Sequence, residues 1–425
     1  MTTINDANKL STFIKTHFQN TRFSKIHLSE LSKILVGKIL HQIELAANSW
    51  KINETFTHHT LSISTDTFPK GRDFHYIIPK IKESFENLKK IGKTYSFRIG
   101  SRIFHIHIIQ PIYPYRRLNH TKTYELFDQM IEQIYIWLYV ASHFSKSKCS
   151  PDLSIYIYLT DLKKTIPELN RGNESEVPIS QEHANTAFTM ACPAARENEI
   201  TIFRKEEWFK VLIHETFHSL GLDFATLPEK PAIHAMFSIF PIKCDLRLYE
   251  TYCESWAEII NVVFVCVKKY RHTDEYRNNS ILQIPKLVKM IENGMHTERI
   301  FSVFQSVKVL AHYKLTYTDL YDTTNSAKNR KRQYTEKTSV FSYYILKSIV
   351  LFYYNDFIEW CSVHNRGTIQ FKKMPGTILK FVEFIKQKYN LPDYLESVRI
   401  IEEWFSNNGD IDEFIQTTLR MSVSE

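Results

Sequence analysis

Apolar positions change their period partway along the chain. Over residues 1–50 they recur at helical spacing, as at Leu28, Leu31, Ile34, Leu35, Ile39 and Leu40. Residues 55–64 alternate and are rich in Thr, which predicts a strand. A helix is expected from Tyr76 to Ile91, then strands at Tyr95–Ile99 and Ile103–Ile109. Pro111 and Pro114 break the pattern. Residues 122–146 read as a long helix and Leu153–Leu159 as a strand. Residues 165–184 read as a polar loop, and Asn185–Met190 and Glu199–Phe203 as short strands. After Lys205 nearly everything carries helical periodicity. The expected class is α+β: a mixed first half with a small sheet, then a mainly helical second half. The expected division is a helical segment 1–50, an α/β subdomain 51–222 and a helical subdomain 223–425.

Composition adds limits to that picture. The 425 residues are 43% hydrophobic and 24% charged, enough apolar surface for a large core and too balanced for wholesale disorder. The bias toward Phe and Tyr, with few Gly, matches an AT-rich genome. The net charge of +8 is mild over this length and does not call for a nucleic-acid partner. The basic cluster Lys328, Arg330, Lys331, Arg332 and Lys337 is read as a solvated loop. The six cysteines, Cys149, Cys192, Cys244, Cys253, Cys266 and Cys361, form no C-x-x-C pair, which predicts reduced, mostly buried thiols. Met1–Leu10 lacks the apolar core of a signal peptide. The longest apolar run, Ile259–Val267, is too short to span a bilayer. A soluble, cytoplasmic protein is expected.

The chemistry concentrates in His214-Glu215-Thr216-Phe217-His218. Trp208, Phe209, Val211, Leu212, Phe217 and Leu220 predict a helix here, and Gly221 supplies a stop. Residues four apart on a helix share one face, so both imidazoles can hold one Zn²⁺. Glu215, beside the first His, then stands where a general base for hydrolysis is needed. A catalytic zinc requires a third protein ligand.

Two downstream positions compete for that role. The metzincin pattern H-E-x-x-H-x-x-G-x-x-H keeps Gly221 but puts Phe224 at its last His, with Asp223 one residue short. Asp223 is therefore read as a helix-end or supporting residue. Cys253-Glu254-Ser255-Trp256-Ala257-Glu258, by contrast, resembles the gluzincins, in which a Glu on a second helix completes the metal site. That resemblance covers His214 to Val267. It implies a zincin-like fold, Zn²⁺ held by His214, His218 and Glu254, and Glu258 supporting one zinc histidine four residues after the ligand. Cys253 departs from the Asn found before the ligand in the family. Glu250, Glu254 and Glu258 form one stripe, so the register could slip by a turn.

The same resemblance implies an edge strand that pairs with substrate, for which Asn185–Met190 is the candidate, and an oxyanion donor on a later helix. Tyr343 and Tyr344 are the candidate donors, with His312 and Tyr313 as further choices. His105 and His107 share a strand face and read as ordinary strand residues, as His58 and His59 read as a turn or strand end. The run Glu199–Phe224 also resembles uncharacterised metallopeptidases of large DNA viruses, which implies host cytoplasm or virion as the location. The expected activity is zinc-dependent hydrolysis of peptide bonds in a peptide or protein substrate. The alternatives are a non-catalytic virion or scaffold protein that keeps the fold, and a nucleic-acid binder, which requires a contiguous basic face.

Overall fold

The structure is a computed structural model. It describes all residues except 1–5, 19–22, 53–55, 65–67, 116–117, 146–147, 169–176, 194–196, 280 and 408–411. The expected strand at 55–64, helix at 122–146 and loop at 165–184, and the leader reading of Met1–Leu10, fall partly outside the described residues.

The chain is α+β, as its periodicity predicts. Helices α1 (Asp6–His17) and α2 (Glu30–Lys51) come first. Strand β1 (Thr57–Ser64), helix α3 (Pro79–Glu86), strands β2 (Lys90–Ile99) and β3 (Arg102–Pro111) and helix α4 (His120–Phe144) follow. Then come β4 (Asp152–Tyr158), the short α5 (Gln181–Ala184), β5 (Ala187–Thr189), β6 (Glu197–Ile202) and α6 (Trp208–Ser219). The second half adds α7 (Lys230–Ile239), α8 (Leu248–Arg271), α9 (Asp274–Asn279), α10 (Ile284–His312) and further helices to Thr417.

The six strands form one sheet in the order β1-β2-β3-β4-β6-β5. The centre is parallel, β3 to β4 and β4 to β6, while β1 with β2, β2 with β3 and β5 with β6 are antiparallel. Alternation along the strands sends Phe104, Ile106 and Ile108 of β3, Leu153, Ile155 and Ile157 of β4, and Ile200 and Ile202 of β6 into the main core. That core is continuous from Leu10 to Val423. The opposite face of the sheet carries a smaller cluster of Phe74, Ile77, Ile81, Phe85, Ile109, Tyr158 and Phe203.

This arrangement places α6. β6 sits one strand from the sheet edge and feeds α6 through a short turn, with Glu207 held at φ 57°. Trp137 Nε1 of α4 donates to Thr216 Oγ1 at 2.7 Å and fixes the back of α6. The front of α6 faces α8, which packs against it.

Three expectations are corrected. The helix expected over Tyr76–Ile91 is only α3, ending at Glu86, and Lys90 and Ile91 already pair in β2. Cys149 and Cys192 are joined by a disulfide across 43 residues, where six reduced thiols were expected. The other four thiols are free: Cys253, Cys266 and Cys361 are buried and Cys244 is half-buried. Separation along the chain carried no signal for that contact; folding brings the two Cα atoms to 4.9 Å. The helical pattern also ends before the chain does. Thr418–Val423 is extended and buried, with Thr418 pairing to Thr165.

Candidate metal centre

Two facing stripes build the site. Helix α6 presents Lys210, His214 and His218 at steps of one turn. Helix α8 presents Glu250, Glu254 and Glu258 at the same steps and runs the opposite way, so Lys210 meets Glu254 while His218 meets Glu250. His214 lies between both: its Nε2 is 3.0 Å from Glu250 Oε2 and its Nδ1 is 2.8 Å from Glu254 Oε2. His218 Nδ1 is 2.5 Å from Asp223 Oδ2. All these residues are buried.

The consequence is a convergence of acceptors. A carboxylate behind each ring takes the Nδ1–H, which leaves a lone pair on each Nε2. The two Nε2 atoms are 3.1 Å apart, and Glu250 Oε2 lies 3.0 and 3.3 Å from them. Ligand atoms about 2.0–2.1 Å from one tetrahedral Zn²⁺ lie roughly 3.3 Å from each other. His214, His218 and Glu250 therefore fit that ion in atom type and in spacing.

Protonation gives the same picture. Burial opposes charge on His214, yet hydrogen bonds to Glu250 and Glu254 raise its pKa to about 9. Burial opposes charge on His218 too, yet Cys253, Glu250 and Asp223 raise it well above the usual value. The surrounding carboxylates thus favour positive charge on the two rings.

Of the three glutamates in the stripe, Glu250, one turn before Glu254, is the one whose oxygen converges with both Nε2 atoms. Glu254 sits behind His214, at the ring nitrogen opposite the one that approaches His218. Glu258 touches neither histidine. It lies 3.3 Å from Lys347 Nζ, and Glu298, Lys347 and Lys210 are the charged groups that act on it. Asp223 supports His218. Phe224 packs on Phe371 at 4.2 Å, as an aromatic rather than a ligand. A second group, His218, Asp223 and Cys253, also converges. Its 2.5 Å nitrogen-to-oxygen contact is a hydrogen bond, too close for two ligands on one zinc.

Glu215 points into a cavity of about 40 Å³ shared with His214, Glu254, Tyr343, Lys164 and Met421. Burial raises its pKa, opposed by His214 and His218. Of the two candidate tyrosines, Tyr343 comes to the site, its ring 6.1 Å from that of His214. Tyr344 is buried and donates to the Leu419 carbonyl at 2.6 Å. A π-helical turn, Phe341–Leu346, carries both, and such turns are frequent at functional sites. His312 Nε2 donates to the Val177 carbonyl and Tyr313 to the Thr335 carbonyl, so neither serves the site. His105 pairs with Ser96 and His107 with Thr94 across the sheet. Within the basic cluster, Arg330 pairs with Asp319 and the buried Lys331 donates to the Asp322 carbonyl.

Four site residues escaped the sequence reading, among them Lys164, which lines the cavity. Lys210 lies four residues before His214, a spacing that could have flagged it. Tyr249 packs its ring 5.7 Å from His218 and carried no separate signal. Met421 reaches the cavity only through the tertiary fold.

Comparison with protein-family models, curated proteins and solved structures finds no match for this chain. No described helix is long and apolar enough to cross a membrane.

Proposed function

We propose that this protein is a zinc-dependent hydrolase, with His214, His218 and Glu250 as ligands and a peptide as substrate. The observation that carries the metal is the convergence of two imidazole lone pairs and one carboxylate oxygen at 3.0–3.3 Å. In this register only one part of the gluzincin resemblance is kept, the acidic residue four after the ligand, here Glu254 behind His214; Ala257, which matched the pattern after Glu254, falls out of step. A bound zinc supplies an acidified water and a polarised carbonyl.

The chain's own groups do the rest. Glu215 takes a proton from the attacking water and passes it to the leaving amine. Burial, which raises its pKa, suits it to that exchange. Tyr343 donates to the oxyanion that develops on the substrate; burial raises its pKa well above the ordinary value, which keeps it a donor. Strand β5 lies at the sheet edge beside the cavity, where an extended peptide adds as a further strand.

One observation favours a second reading, a metal-bound scaffold without catalysis. The cavity of about 40 Å³ holds a few waters and no dipeptide. Hydrolysis therefore requires the cavity, lined in part by Asn185–Ala187 and Tyr343, to widen. The test is metal analysis of the purified chain, with peptide cleavage by the wild type and by Glu215→Gln. Absence of bound zinc defeats both readings. Zinc at one per chain, with no cleavage that depends on Glu215, leaves the scaffold.

A further inference from the structure

Lys210 and Glu254 form a buried ion pair, with side chains 2% and 3% exposed. The ammonium holds Glu254 Oε1, and the other oxygen, Oε2, is the one 2.8 Å from His214 Nδ1. Met421 covers the lysine from the other side, its Sδ 3.5 Å from Nζ. Met421 is itself anchored at both backbone ends: its N–H donates to Glu207 Oε1 at 2.9 Å, and its carbonyl accepts from Lys347 Nζ at 2.9 Å.

A carboxylate can rotate about its last bond. With Oε1 engaged by Lys210, only Oε2 faces the ring. A buried oxygen without a partner is costly, so removing the ammonium would drive the carboxylate to a new contact and release the imidazole. We propose that Lys210 is a positioning residue of the metal centre, acting on the metal through Glu254 and His214. The proposal rests on the zinc reading above.

The experiment is a double-mutant cycle in the full chain, Lys210→Met against Glu254→Gln. Zinc affinity is read by chelator competition, and ligand geometry by the visible spectrum of the cobalt-loaded protein. Lys210→Met is expected to weaken zinc roughly 10–100-fold, as loss of a partner that orients a ligand does. In the Glu254→Gln background the same change is expected to cost nothing further. Lys210→Arg, which keeps charge and donors, restores most of the affinity and the wild-type spectrum. It also stands in if the Met variant does not fold.

Equal losses in both backgrounds, or an unaltered spectrum and affinity in Lys210→Met, would overturn the proposal. So would a Lys210→Arg variant that folds and binds zinc as poorly as a chain lacking Glu254. A wild type that takes up no zinc overturns the metal reading itself. Zinc binding without coupling overturns the role of Lys210 alone.

Discussion

Glu254 meets His214 from behind, its Oε2 2.8 Å from Nδ1, while Glu250 holds the other ring nitrogen at 3.0 Å. The two glutamates differ by one helical turn and have different jobs. In the zinc centre proposed above, Glu250 would contribute an oxygen to the metal, and Glu254 would set the tautomer that lets the ring contribute a nitrogen.

That division predicts unequal losses. Glu250→Ala removes a ligand and is expected to abolish stable zinc binding. Glu254→Ala removes the orienting partner and is expected to weaken zinc roughly 10–100-fold. Zinc competition titrations on the two variants check the order. A chain more damaged by loss of Glu254 than of Glu250 would reverse the assignment.

Tyr343→Phe is expected to lower kcat by about 10²–10³-fold, the usual cost of an oxyanion donor. Zinc content should stay at the wild-type level, because Tyr343 is not a ligand. Tyr344→Phe should affect stability instead, since its hydroxyl serves the Leu419 carbonyl. Steady-state kinetics with metal analysis separates the two tyrosines.

The metal-free protein should show a pH signature. The folded-state pKa of His214 is about 9, above its unfolded value near 6.5. A raised pKa means that the folded form binds the proton more tightly. Its stabilisation is complete below about pH 6.5 and is lost as pH rises through about 9. The Tm of the metal-free chain should therefore fall over that window. Zinc affinity should rise over the same window, because the metal competes with those protons. Thermal scans and zinc titrations at pH 6.5, 8 and 9.5 test both signs.

Glu207 holds the segment Thr418–Val423 in the core. Its Oε1 accepts from the N–H groups of Met421 and Ser422, and its carboxylate pairs with buried Lys164. Glu207→Ala would strand that lysine and two backbone donors. A loss of about 3–5 kcal/mol is expected, visible as a lower midpoint in urea.

The Cys149–Cys192 disulfide closes a loop of 43 residues. Chain entropy predicts about 4 kcal/mol of stabilisation from a loop of that size. Cys192 N–H also donates to the His218 carbonyl at 3.0 Å, so the bridge steadies the end of α6. Denaturant unfolding of the wild type and of Cys192→Ser measures the effect.

Local patterns made much of this protein legible. Period-2 alternation marked β3 and β4, and period-3.6 spacing marked α6 and α8, because each pattern reports which face of one element is buried. The pair His214 and His218 followed from helix geometry alone, as did the stripe of Glu250, Glu254 and Glu258. Asp223 was also readable as a supporting residue from its place just past the helix end.

The choice among the three glutamates was different in kind. It depends on how far α8 slides along α6, and the three carboxylates are equivalent within their own helix. Packing of the two helices set that register. The same reason hid the Cys149–Cys192 contact, the arrival of Tyr343 in place of Tyr344, and the approach of Met421 to Lys210. The sequence by itself determined most of the elements, their buried faces and the two histidines, because these follow from contacts within a few residues. The tertiary structure alone decided which carboxylate stands before the rings and which behind, because that distance is set between helices some 40 residues apart in the chain and not within either one.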